Sequence, residues 1–189
     1  MDRAAIFIDG AYLDKLLENE FGRAQIDYGR LADELAQGAD ILRTYYYHCP
    51  PYQSNPPTTD ESQRTAARNR FFAALSRLPR FQVRQGKLAY RGKDQNGQPI
   101  FVQKRVDIML GVDMVQLAAT RQIAKAVLLA GDSDFVPAVE AVKQHGVLTV
   151  LWHGPIRAGR NSTVHQELWD ACDERFPLTQ GVVDACPRS

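Results

Sequence analysis

A chain of 189 residues, 44% hydrophobic and 24% charged, can bury one sizeable core and has the balance of an ordinary globular domain, which excludes a disordered or fibrous class. No stretch has the apolar length of a membrane helix, and the first strand starts too soon for a signal peptide, so a cytoplasmic protein without a membrane partner is expected. Cys49, Cys172 and Cys186 form neither a CxxC pair nor a zinc pattern and read as reduced thiols, while the net charge of +1 conceals a strong asymmetry.

Taken in chain order, Ala4 to Asp9 is a short apolar run ending in an acid and reads as a buried strand. Ala11 to Glu20 reads as a helix with Leu13, Leu16 and Leu17 on one side, ended by Gly22, and Leu31 and Leu35 mark a second short helix. Ile41 to His48 is rich in β-formers and predicts strand two. Cys49 to Thr59 holds four prolines and is a loop. Glu61 to Leu78 predicts a basic amphipathic helix with Phe71, Phe72 and Leu75 inward. Phe81 to Tyr90 is a third strand, Gly92 to Pro99 a hairpin tip, and Ile100 to Gln103 the returning arm.

Val106 to Ala119 is apolar nearly all round, the pattern of a buried helix. Ala126 to Ala130 is a strand, and Phe135 to Gln144 a helix with Pro137 in its first turn and Gly146 past its end. Val147 to Trp152 is expected as the last strand, Gly154 to Arg160 as a loop and Thr163 to Ala171 as the final helix. Residues 1–178 then make one domain and 179–189 a loose tail. Alternating strands and helices argue for an α/β fold, a mainly parallel sheet with helices on both faces.

Within that frame three acid-bearing segments converge. Ligands in open α/β sheets bind beyond the carboxyl ends of the strands, which is where Asp9 and Asp132 would stand. Each has a plainer fate, since Asp is a favoured helix cap. Asp107 opens an apolar helix and is either a metal ligand or a partner of the helix dipole. Asp132 and Asp134 flank Ser133; one of the three caps the following helix, with Asp132 the preferred ligand and Asp134 a ligand through water or the cap. Asp113 lies about 120° round the helix from Asp107, so it either supports the site from behind or pairs with an arginine. Crowded carboxylates repel unless a cation joins them, and hard divalent ions take oxygen ligands.

From Arg64 to Arg105 eleven basic residues stand against one acid, Asp94, which leaves the rest of the chain acidic. Such polarisation favours a polyanionic partner. Lys104 and Arg105, just before Asp107, are candidates to hold a phosphate. Tyr45, Tyr46, Tyr47, Tyr52 and Tyr90 could stack on unpaired bases, although most suit a core or a strand face. His48, His145, His153 and His165 show no mutual spacing that suggests a catalytic base.

Phe-Ile-Asp-Gly at 7–10, Lys-Arg-Val-Asp-Ile at 104–108 with Asp113 beyond, and Gly-Asp-Ser-Asp-Phe at 131–135 together resemble the NYN domain, more narrowly its bacterial LabA-like branch, within the PIN-like nuclease superfamily. The likeness runs from about Arg3 to Leu178. It implies a Rossmann-like (PIN-like) sheet and a ribonuclease site dependent on Mg²⁺ or Mn²⁺, acting on single-stranded or structured RNA. The catalytic acids it implies are Asp9, Asp107, Asp132 and Asp134. The first three would be metal ligands, Asp113 and Ser133 supports, and Tyr12, Lys104 and Arg105 contacts to substrate. The family commonly has Asp-Gly-x-Asn where this chain has Asp9-Gly10-Ala11-Tyr12. Tyr12 could stack on a base, or could mark a catalytically weak RNA-binding and regulatory module on the same fold. A haloacid-dehalogenase-type phosphatase would need a second acid at Ala11, and neither a dinucleotide fingerprint nor a P-loop is present. Oligomeric state stays open, a homodimer being one way to complete a basic groove.

Overall fold

The structure is a computed structural model, and it describes residues 3–157 and 162–188. In chain order the elements are β1 (Arg3–Asp9), α1 (Gly10–Asn19), α2 (Tyr28–Ala36), β2 (Asp40–His48), α3 (Thr59–Ser76), β3 (Phe81–Gln85), β4 (Lys87–Lys93), β5 (Pro99–Lys104), α4 (Val106–Ala119), β6 (Lys125–Leu129), a 3₁₀ turn (Ser133–Phe135), α5 (Val136–Gln144), β7 (Leu148–His153), α6 (Gln166–Ala171), β8 (Glu174–Pro177) and α7 (Gln180–Asp184). Six strands form one sheet in the order β3-β2-β1-β6-β7-β8, every neighbouring pair parallel, while β4 and β5 make a separate antiparallel hairpin.

The central strands are apolar on both faces because both are covered. Ala4, Ile6 and Ile8 of β1 pack with Leu13 and Leu16 of α1, Leu31 and Leu35 of α2, Phe72 of α3 and Val183 of α7. Ala5 and Phe7 look the other way, onto Leu110 and Met114 of α4, Val139 of α5 and Leu168 of α6. The expected mainly parallel sheet with helices on both faces is therefore the fold. No helix of the described residues is long and apolar enough to cross a membrane.

Five expectations need correction. The run from Phe81 to Tyr90 is two strands, broken at Gly86, where a Cβ would lie 2.6 Å from Val106 Cγ2 and 2.7 Å from the Lys104 carbonyl oxygen. Gly86 is thus pressed against the start of α4, its N–H still donating to the His48 carbonyl at 2.9 Å. A further strand follows β7, because β8 (Glu-Arg-Phe-Pro) is short and polar yet stacks Phe176 on Trp152, ring centres 5.4 Å apart. The helix expected from Thr163 begins only at Gln166, and residues 158–161 of the preceding loop lie outside the described residues. Nor is the tail from Thr179 loose. Thr179 caps α7, Val183 and Cys186 are buried, and the Cys186 carbonyl accepts from Asp27 N at 2.9 Å. Helix α4 is also less buried than its composition suggests, with Ile108 74% and Val112 57% exposed.

Candidate active site

The strand order reverses between β1 and β6: the chain steps from β1 to β2 and β3 on one side, and from β6 to β7 and β8 on the other. Helix α1 therefore leaves β1 on one face and the α5 segment leaves β6 on the opposite face. The two connections diverge and open a crevice at the carboxyl ends of the strands. Its volume is about 960 Å³, and Asp9, Tyr12, Lys15, Asp107 and Asp132 line it.

Asp9 closes β1 and caps α1, its Oδ1 accepting from Ala11 N and Tyr12 N, both at 3.1 Å. The cap and the ligand readings thus fall on different oxygens, since Oδ2 has no hydrogen-bond donor among the described residues. Gly10 is required for space: a Cβ would stand 2.5 Å from Tyr46 Cζ and 2.8 Å from His48 Cδ2. Asp132 follows the same plan after β6, Oδ1 accepting from Asp134 N at 3.1 Å and capping the 3₁₀ turn that Ser133 begins. Asp107 sits in the first turn of α4 with no side-chain cap to supply.

These acids feel one another. Burial pushes the Asp9 carboxyl above its ordinary range, and the charge of Asp107 adds to the push, against the two amides that favour the anion. Asp107 is likewise raised, by partial desolvation first and then by the charges of Asp132 and Asp134.

Tyr12 holds the crevice wall. Its hydroxyl accepts from Gly154 N at 2.9 Å, and its ring lies where any side chain on Gly131 would collide with it and with the Thr163 carbonyl. One tyrosine thereby ties the carboxyl ends of β1, β6 and β7 together. Lys15 was missed from sequence. It shares the crevice-lining face of α1 with Ala11 and Tyr12 by the i, i+3, i+4 spacing, and that spacing was the available signal.

Other expected residues lie elsewhere. Of the two fates open to Asp113, the arginine pairing is the one found: Arg84 is 3.1 Å away and Tyr47 Oη donates to it at 2.8 Å. Lys104, Arg105 and Asp134 line a second, shallower groove on the far side of Asp107, beside Ile108 and Val112. His48 approaches the site but is engaged, with Nε2 3.1 Å from Asp14 and Nδ1 2.7 Å from the Cys49 carbonyl. Burial works to raise the Asp14 carboxyl, yet the His48 hydrogen bond and the Arg68 charge outweigh it and hold Asp14 low. Part of the basic run is spent in the same way, Arg68 on Asp14, Arg80 on Asp40 and Arg84 on Asp113.

A family model for the NYN domain matches residues 3–179. The chain belongs to the NYN domain family. That family is part of a nuclease superfamily, and this NYN domain has its nuclease-type fold. Among solved structures, VPA0982 from Vibrio parahaemolyticus RIMD 2210633, a protein of unknown function, superposes with a TM-score of 0.61 at 17% identity, covering 94% of this chain and 93% of that one. The uncharacterized protein y4oD of Sinorhizobium fredii (strain NBRC 101917 / NGR234) is 36% identical over 78 residues, 41% of this chain and 36% of that protein's length. The chain therefore matches only about a third of that relative.

The donor set of this NYN domain suits a hard cation held loosely. Among the described residues no three His, Cys, Asp or Glu side chains stand together as a ready ligand group. Mg²⁺ commonly takes one or two carboxylates and completes its shell with water and substrate phosphate. Asp9 and Asp107, each destabilised as anions and each with oxygen to offer, fit that lesser demand.

Proposed function

We propose that this NYN domain is a divalent-metal-dependent endoribonuclease that hydrolyses RNA phosphodiester bonds in the crevice between β1 and β6. The observation that carries the reading is the meeting of Asp9, Asp107 and Asp132, from three distant segments, in one crevice at the reversal of strand order. Asp9 and Asp132 would offer Oδ2 and Asp107 its free carboxylate to Mg²⁺ or Mn²⁺, with Asp134 reaching through water. Such an ion would stabilise charge on the phosphate oxygens and lower the pKa of a bound water. Lys15 stands on the crevice rim, placed to neutralise a substrate phosphate. Lys104 and Arg105, in the adjoining groove, would steer the flanking backbone, and Tyr12 keeps the strand ends in register.

The test is cleavage of RNA in the cytoplasmic range of ionic strength. The wild type should require Mg²⁺ or Mn²⁺, and Asp9→Asn with Asp132→Asn should lower the rate by at least about 100-fold, the upper loss typical of perturbing a ligand's surroundings. Undiminished cleavage by the folded double variant would refute the assignment.

A second reading has its own support. Tyr12 occupies the place of the family's amide, and the acids do not form a ready three-ligand group among the described residues. A non-catalytic RNA-binding module would bind RNA with a steep salt dependence and leave it intact at high Mn²⁺.

A further inference from the structure

We propose that the β4–β5 hairpin is a stacking platform that receives unpaired bases of single-stranded RNA and leads the strand into the acid crevice, with Tyr90, Phe101 and Tyr52 as its rings. The choice of RNA rests on the reading of the crevice given above.

The hairpin stands apart from the six-stranded sheet. A two-stranded ribbon is marginal by itself, so its side chains should be turned inward wherever the body allows. Leu88 does pack against the core beside α4. Yet Tyr90 remains 48% and Phe101 36% exposed. The two residues are directly opposite in the antiparallel register and so project from the same face. Tyr52, from the proline-rich loop after β2, joins them: ring centres are 4.7 Å apart for Tyr52–Phe101, 5.9 Å for Tyr90–Phe101 and 6.2 Å for Tyr52–Tyr90. Mutual contact fixes the three rings before any ligand arrives, which reduces the ordering cost of binding.

Two further observations say what would cover them. Phe101 belongs both to the ring cluster and to the lining of the crevice with Asp9, Asp107 and Asp132, so the platform and the acids share one surface. The same hairpin exposes Lys87, Arg91, Lys93 and Lys104, and among the described residues none of them is in an ion pair. Its single acid, Asp94, is turned onto the Asn96 and Gln98 amides of the tip, both at 2.8 Å. Exposed rings on one face of a ribbon that also carries unopposed cations match a polyanion that carries aromatic faces. Every unpaired base has such a face, whereas a duplex keeps its bases stacked on each other.

The experiment is fluorescence anisotropy with a labelled oligouridylate of about 12 nucleotides, near the upper site size of comparable stacking surfaces, without divalent ions so that the strand stays whole. Tyr90→Ala with Phe101→Ala should weaken binding by roughly tenfold or more. The salt slope should not change, because no cation is lost. Phe101→Trp should bind at least as tightly as the wild type, and a duplex of equal length more weakly than the single strand. Wild-type affinity in the double alanine variant, equal affinity for duplex and single strand, or no binding by the wild type would each overturn the platform. A wild type that binds in this pattern but cleaves nothing when Mn²⁺ is added would instead sink the nuclease reading alone.

Discussion

At the scale of single residues, Asp9 carries two duties that can be separated. One oxygen satisfies backbone amides and the other has no donor among the described residues. Asparagine caps about as well as aspartate, whereas alanine loses about 1 kcal/mol of stability. Asp9→Ala should therefore lower the melting temperature, while Asp9→Asn should not, although both should abolish cleavage. The pH dependence has a definite sign. Because the folded Asp9 carboxyl is raised above its ordinary value of 3.8, the native state holds the proton more tightly than the unfolded chain. Stability thus falls as pH rises from near 4 through the raised value, and the penalty persists above it. Relative to the wild type, Asp9→Asn should gain stability across that window in denaturant titrations, and added Mn²⁺ should close the gap at neutral pH. A wild type that gains on Asp9→Asn as pH rises would contradict the burial argument. Asp9 and Asp132 were readable as site candidates because each ends an apolar run. An arginine partner for Asp113 was one of its two readable fates, but that Arg84 and Tyr47 supply the contacts was not, since both come from strands distant in sequence.

Elements explain why the crevice has walls at all. Gly131 is kept bare by the Tyr12 ring and the Thr163 carbonyl, one of them backbone that cannot simply rotate away. Gly131→Ala should cost about 1–3 kcal/mol, the usual range for overpacking, measured by chemical denaturation. It should also depress cleavage, because Asp132 is the next residue. Loss of the Tyr12 hydroxyl in Tyr12→Phe orphans Gly154 N and should cost about 1 kcal/mol. Periodicity marked nearly every helix and strand, and α4 spans the expected Val106 to Ala119. It failed where tertiary contact overrode local pattern. Gly86 lay unmarked inside the expected strand Phe81 to Tyr90, yet it is crowded against Val106 where β3 gives way to β4. The apolar circumference of α4 suggested full burial, yet the side bearing Ile108 and Val112 is left uncovered by the elements around it.

For the molecule as a whole, strand order matters more than any single contact. Six parallel strands with a reversal at β1 and β6 bring to one crevice two acids that are 123 positions apart in sequence, Asp9 and Asp132. Alternation of strands and helices made the parallel sheet legible; the order of the strands and the closing of its edge by β8 were not, because polar residues in a four-residue edge strand leave no periodic trace. The same holds for α7, whose few apolar residues matter only once they meet Ile26 and Leu31. Truncation after Leu178 would remove Val183 and Cys186 from that cluster and should destabilise the domain by roughly 3–5 kcal/mol, two buried side chains at the usual worth of each. A truncated chain that melts with the intact one would show the tail to be dispensable.

The central claim is that acids from distant segments share one cation in this crevice. Anomalous diffraction from crystals grown with Mn²⁺ addresses it directly. A peak within coordination distance of Asp9 and Asp107, or of Asp107 and Asp132, is the expected result; strong Mn²⁺ peaks only elsewhere on the chain, with these carboxylates bare, would contradict it.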